Sequence, residues 1–190
     1  MWSIPVLQLI TFVNQIVMFY WAVEYKSNAV VSHIFNPIQF ILILYFLYQN
    51  IENPRLKLYV PYLATGMVIF SVVNSFFLQS LNTFPSNFLV IANLVLITIA
   101  TVLFLEKLDS PSSVKIFQDP VFIIGSAVLL FNAFSFLFFL LTNYLRSIQY
   151  STSSIYYILL FANILYYSLL FIASFLSTKQ PNFQSETSRK

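Results

Sequence analysis

The chain contains six long hydrophobic stretches, which are separated by short polar segments. A helix that crosses about 30 Å of hydrocarbon needs about 20 mostly apolar residues, and each stretch has close to that length. Each span has to be helical because lipid offers no partner to an unpaired backbone amide. The pattern therefore predicts an all-α bundle of six transmembrane helices, at residues 4–23, 32–49, 58–78, 87–105, 120–142 and 155–177.

The stretches lack the strict alternation of a transmembrane β-barrel, as the runs at 41–44 and 129–131 show. Composition excludes a soluble alternative. Hydrophobic residues make up 59% of the chain and charged residues only 8%, whereas a soluble domain carries roughly 25% charged residues. Long uncharged runs, such as residues 58–105, cannot be hidden in a water-soluble fold of this size. A soluble enzyme, a nucleic-acid-binding domain and a disordered chain are therefore excluded.

The breaks between spans carry residues typical of helix ends. Asn53 and Asp119 each precede a proline, which predicts a capping side chain with proline at the first helical position. Polar residues and a proline at 82–87 predict a hairpin between the third and fourth spans. Pro37 and Pro61 fall inside spans and are expected to kink them.

Basic residues predict the orientation of the bundle. Seven of the nine lie on the side of the two termini, and only Lys26 and Arg146 lie on the other. Since cytoplasmic loops are enriched in Lys and Arg, both termini are predicted in the cytoplasm of a multi-pass protein of the bacterial inner membrane. Residues 1–178 form one membrane domain, and residues 179–190 form a polar cytoplasmic tail. The first stretch is longer than a signal-peptide core and is expected to be a retained helix.

The predicted spans contain few side chains that could take part in catalysis. None of the six contains Asp, Glu, Lys or Arg, the usual markers of proton relays, ion pathways and voltage sensors. The chain has no cysteine and one histidine, His33, which lies at the outer boundary and is predicted to be an interfacial bystander. We therefore expect no catalytic residue, no metal site and no cofactor.

What the spans do contain is amide side chains. These are Asn36, Gln39, Asn74, Asn93, Asn132 and Asn163, together with Asn14. Most of them fall in the outer half of the predicted spans, with Asn14 and Asn132 near mid-depth. Gln8, Thr11 and Gln15 share one face of the first helix, as Gly125, Asn132 and Ser135 share one face of the fifth. Two interpretations stay open: the amides hydrogen-bond between helices, or they line an outward-opening pocket for a small neutral or zwitterionic ligand.

Two other features have ordinary explanations. The loop 106–119 could dock a cytoplasmic partner, or it could be a solvated linker. The phenylalanines of the fifth span surround the helix, which predicts lipid contact and packing rather than a cofactor site. They are Phe131, Phe134, Phe136, Phe138 and Phe139.

The segment 71–79, the residues Asn82-Thr83-Phe84 and Asp119-Pro120-Val121-Phe122, and Asn143-Tyr144-Leu145 together resemble a family of uncharacterised multi-spanning membrane proteins of Bacteroidota. The likeness covers roughly residues 30–178. It implies a seven-helix protein of which this chain lacks the first helix. The chain departs from the family pattern at Ile123 and at 131–133. Some relatives accompany two-component signalling genes, which implies sensing, and no catalytic residue is implied.

These observations predict a non-catalytic sensory or interaction module of the membrane. The expected partners are the lipid bilayer and a membrane or signalling protein, with no nucleic acid. The alternative is a facilitator or channel for a small uncharged or zwitterionic solute, with the amides as its binding surface.

Overall fold

The computed structural model describes residues 3–109, 116–149 and 155–179, without the side chains of residues 3–8, 15, 178 and 179. Within these ranges the chain forms helices and no strand, which confirms the predicted all-α bundle. The six α-helices are α1 (Ser3–Tyr25), α2 (Ala29–Asn50), α3 (Pro54–Val73), α4 (Ser86–Asp109), α5 (Pro120–Ser147) and α6 (Tyr156–Lys179). The helix ends differ from the predicted span ends by at most five residues, and α5 begins at the predicted residue, Pro120. The tail beyond residue 179 lies outside the described residues.

Five of these helices are long and apolar enough to cross a membrane. They are α2, α4, α5, α6 and the continuous helical segment Pro54–Leu78 that begins with α3. The protein is thus an integral membrane protein with a helical bundle. The first predicted span forms a helix, but α1 is not among these five, so its crossing of the membrane stays a prediction.

The bundle is organised around α5 and α2. The most extensive contacts join α5 to α4 and to α6, and α2 contacts α1, α3 and α4. The end of the bundle that holds the α2–α3 connection and the α4–α5 connection is called the closed end here. Fully buried aliphatic side chains fill the bundle there, including Leu47, Leu103, Val128 and Leu170.

Both predicted caps are confirmed. The Asn53 side-chain oxygen accepts hydrogen bonds from the backbone N–H groups of Arg55 and Leu56. The carboxylate of Asp119 accepts from the N–H of Val121 at 2.8 Å. Each cap satisfies donors that a helix N-terminus otherwise leaves unpaired, so the chain starts α3 and α5 at the positions where the sequence placed the prolines.

The closed end carries the charged contacts of the described residues. The Glu106 carboxylate, on α4, accepts hydrogen bonds from the backbone N–H groups of Glu52 and Asn53 at 2.8 and 2.9 Å. Lys107 forms an ion pair with Glu52 at 2.9 Å. These contacts fasten the α2–α3 connection to the end of α4.

The opposite end, which we call the open end, holds the α1–α2 connection, the loop 79–85 and the C-terminus of α5. A π-helical turn, Asn74–Leu78, continues α3 into this loop. The predicted hairpin is confirmed, since α4 begins at Ser86 immediately after the loop. Helices α2 and α3 continue through Pro37 and Pro61. Proline has no N–H, so Pro37 leaves the carbonyl of His33 without its usual helical donor.

Candidate ligand-binding cavity

A cavity of about 580 Å³ lies among α1, α2, α4, α5 and α6 in the half of the bundle toward the open end. Its size falls in the range of ordinary small-molecule sites. At the open end it reaches the surface beside Arg146 and Tyr156, which are exposed. Ile43 and Leu96 line it farther along α2 and α4.

The cavity is deep relative to a membrane. Its lining on α5 extends from Arg146 to Phe131, which is about 22 Å along the helix axis. This length suffices to reach the middle of about 30 Å of hydrocarbon. One turn beyond Phe131, Val128 is 1% exposed and belongs to the aliphatic packing of the closed end. The cavity therefore opens at one end of the bundle and is blocked toward the other.

Apart from Asn14, the sequence singled out six amides, and five of them line this cavity, although they come from four different helices. They are Asn36, Gln39, Asn93, Asn132 and Asn163. Asn14 of α1 lines it as well. The side chains of Gln8 and Gln15 lie outside the described ones. Asn74 does not line the cavity: it is completely buried in the π-helical turn, where its amide nitrogen lies 3.4 Å from the Gln79 side-chain oxygen.

The interhelical hydrogen bonds that one interpretation expected are not formed by these lining amides within the described part of the chain. Asn132 and Asn163 instead donate to the carbonyl oxygens four residues earlier, those of Val128 and Leu159, at 2.6 and 2.8 Å. An amide that donates in this way still presents a carbonyl oxygen, which can accept. The amides therefore meet around a space rather than bonding to one another.

Several residues that line this cavity carry a buried polar atom without a hydrogen-bond partner. They are Asn14 Oδ1, Asn36 Nδ2, Asn93 Nδ2, Ser135 Oγ and Thr142 Oγ1. Four of these residues are less than 6% exposed, and Asn36 is half-buried. A buried polar group without a partner costs about 1–3 kcal/mol, so native structures contain few of them. Two further unpartnered atoms, Asn74 Oδ1 and Ser174 Oγ, belong to residues outside the lining.

The lining hydroxyls of Ser135 and Thr142 differ from three other hydroxyls in the helices. Thr98, Thr101 and Ser126 each donate to the carbonyl oxygen four residues earlier, at 2.7 to 2.9 Å. This local bond is the usual way for a helical hydroxyl to satisfy itself. Ser135 and Thr142 do not make it. Neither hydroxyl is therefore committed to the helix backbone, and each can donate as well as accept.

Aromatic rings form the wall between the deep amides and the mouth. Phe84 stacks on Phe139 with ring centroids 5.7 Å apart, and Phe138 packs against Phe139 and Tyr156. All four line the cavity. The sequence predicted lipid contact or packing for Phe138 and Phe139, and the structure gives both a place in the cavity wall. Thr142 was also missed, although it lies seven residues from Ser135 and therefore on the same helix face.

The loop 79–85 supplies Phe84 to the mouth and is held by polar contacts. The Gln79 amide nitrogen donates to the carbonyl of Phe84 at 2.6 Å and contacts the Ser86 hydroxyl at 3.2 Å. His33 of α2 holds the loop from the other side. Its Nε2 lies 2.9 Å from the carbonyl oxygen of Thr83, and its Nδ1 lies 2.8 Å from Ser75 Oγ.

The prediction that His33 is an interfacial bystander is therefore wrong. The side chain is 6% exposed and joins α2 to the π-helical turn and to the loop. A carbonyl oxygen can only accept, so Nε2 carries the proton that it donates to Thr83. In the neutral ring, Nδ1 then accepts the proton of the Ser75 hydroxyl. His33 fixes the position of the loop that bears Phe84.

The described residues contain no group of three or more His, Cys, Asp or Glu side chains that could hold a metal ion. The described cavity lining holds amides, hydroxyls, aromatic rings and one charged side chain, that of Arg146. Such a set can bind a molecule by hydrogen bonds and stacking. Comparison with family models, with curated proteins and with solved structures gives no match for this chain. Any functional conclusion therefore rests on the geometry of the cavity.

Proposed function

We propose that this integral membrane protein is a non-catalytic module that binds a small polar ligand in the cavity and serves a sensory or interaction role. The observation that carries the proposal is that five residues lining one cavity each carry a buried polar atom without a hydrogen-bond partner. Leaving these atoms unpaired lowers stability, and a ligand with several donors and acceptors would satisfy them together.

The blocked end supports a binding role over an open channel. Beyond the cavity the bundle is filled by aliphatic side chains such as Leu47, Leu103 and Leu170, each at most 1% exposed. A ligand can therefore act across the membrane by changing how the helices pack, which is how a sensor transmits occupancy. The expected resemblance of residues 30–178 to a family of which some members accompany two-component signalling genes favours the same role. The proposed partners are a signalling or membrane protein and the surrounding lipid.

A thermal-shift screen of the protein in lipid nanodiscs tests the proposal, with small amides, polyols, amino acids and aromatic acids as probes. We expect one class to stabilise the wild type. Affinity should fall about tenfold in Ser135→Ala and in Thr142→Val, since each loses about one hydrogen bond. Ser126→Ala and Thr101→Val remove the same groups outside the cavity and should leave affinity unchanged. Absence of any stabilising compound, or equal losses in the control variants, would refute the proposal.

A facilitator for a small solute is the second candidate, and the depth of the cavity favours it. Because the cavity already reaches the middle of the membrane, a solute would cross if the helices separated at the closed end. Proteoliposome flux of any compound found in the screen separates the two functions. A facilitator moves the compound across the bilayer, and Asn132→Leu or Asn93→Leu abolishes the flux. A sensor binds it without flux, and the wild type then retains a bound protein partner from native membranes.

A further inference from the structure

We infer that the ligand of this cavity carries an anionic group, a carboxylate or a phosphate, which the guanidinium of Arg146 binds at the mouth. The inference rests on the proposed binding function and specifies its ligand. The inferred ligand has three parts along the cavity: an anionic group at the surface, an apolar middle, and an uncharged hydrogen-bonding group at depth.

Arg146 is the one charged side chain among the described residues that line the cavity. It forms no ion pair with any of them. The other charged residues near this end, Glu24 and Lys26, are exposed and do not line the cavity. A cationic ligand would therefore find no acidic partner in the described lining. An anionic group would find a planar guanidinium, which matches carboxylate and phosphate geometry with paired hydrogen bonds.

Thr142 of α5 gives the ligand its second polar contact. Thr142 lies four residues before Arg146, so the two side chains share one helix face. The Thr142 hydroxyl is buried and has no partner. Once the Thr142 side chain rotates toward the cavity, this hydroxyl can donate to an anion held by the guanidinium, so the charge at the mouth would be bound by one charged and one neutral donor.

The residues deeper in the cavity indicate the chemistry of the rest of the ligand. Phe138 and Phe139 occupy the turn between Thr142 and Ser135, and both are buried in the cavity wall. Below them, the side chains of Ser135 and Asn93 line the cavity and carry donors and acceptors but no charge. Ser135 and Arg146 lie about 16 Å apart along the helix axis. An elongated acid with a flat or acyl middle fits this order of surfaces.

Matched acid and amide probes test the inference on the full chain in nanodiscs. The probes are benzoate, 3-phenylpropanoate and 3-(4-hydroxyphenyl)propanoate, each with its primary amide. We expect an acid to bind about two- to fivefold more tightly than its amide, since an exposed ion pair adds only modest affinity. The preference should disappear in Arg146→Gln and shrink at high salt. Lys26→Gln removes the same charge beside the cavity and should keep the preference.

The outcomes separate this inference from the proposed function. If neutral compounds bind as well as acids and Ser135→Ala weakens them, the cavity binds ligands but Arg146 selects no anion, and the inference is overturned. If no compound binds at all, the proposed function fails and the inference fails with it. A lipid headgroup as the source of the anion has its own signature: without added probe, anionic phosphatidylglycerol stabilises the wild type over phosphatidylcholine, and Arg146→Gln cancels the difference.

Discussion

Replacing His33 by glutamine is expected to weaken the attachment of the loop 79–85 to α2. The glutamine side chain reaches the position of Nε2, so its amide can still donate to the carbonyl of Thr83, a contact of 2.9 Å in the wild type. It has no group at the position of Nδ1, which contacts Ser75 Oγ at 2.8 Å. The substitution therefore removes one of two hydrogen bonds. His33→Leu removes both.

The magnitude follows from the environment of each bond. Hydrogen bonds between helices in membrane proteins contribute about 0.6 kcal/mol on average and up to about 1.7 kcal/mol. The short distance and the burial of His33 place this pair in the upper half of that range. We expect His33→Gln to lower the free energy of unfolding by about 1 kcal/mol, and His33→Leu by about 2 kcal/mol. Thr83 is exposed, so water replaces part of the second bond.

A double-mutant cycle of His33→Gln with Ser75→Ala measures the pair directly. Unfolding in mixed SDS and nonionic micelles, followed by circular dichroism, gives the free energies of the four proteins. We expect a coupling energy of about 1 kcal/mol, because either single substitution already breaks the bond. Effects that add within about 0.3 kcal/mol would show that the two side chains do not interact. Ligand affinity should fall as well, since the loop carries Phe84 to the mouth of the cavity.

Three other predictions concern the rest of the chain. Gly125→Ala should raise the free energy of unfolding by about 0.5–1 kcal/mol, because the new methyl group meets Leu103 Cδ2 at an ordinary 3.4 Å. Gly66→Ala serves as the control without a contact, and a destabilised Gly125→Ala would contradict the packing. Glu106→Gln should cost about 0.5–1 kcal/mol in the same assay, because the carboxylate accepts two N–H groups ahead of α3. A single cysteine in place of Ser112 should resist impermeant thiol reagents in intact cells, and labelling there would reverse the predicted topology.

The fold could be predicted from the sequence because span length and helix caps are local properties. Runs of apolar residues locate the helices, and Asn53 and Asp119 mark the starts of α3 and α5 as capping chemistry requires. The position of an amide along its span also gave its depth. Asn36, Asn93 and Asn163 accordingly lie in the same half of the bundle around one cavity.

The face that each helix turns toward the bundle interior could not be predicted in the same way. A span with apolar residues on every side gives no signal for the face that turns inward, so Asn74 was grouped with amides that it does not meet. The contacts of His33 reach Ser75 and Thr83, 42 and 50 residues away. Such pairs depend on how α2 packs beside the loop, and the loop in turn depends on the π-helical turn at Asn74–Leu78. No local pattern encodes that turn.

The distribution of satisfied and unsatisfied hydroxyls argues that the cavity is a functional feature rather than a packing defect. Ser126 and Ser135 lie on the same helix, yet Ser126 is paired and Ser135 is not. An alanine at 135 would remove the unpaired group, and the buried site would tolerate it. Chains that keep such local costs generally keep them at functional sites. Five of the seven buried unpartnered atoms among the described residues belong to residues that line the cavity beside Arg146, so most of this cost lies in the residues around a bound ligand.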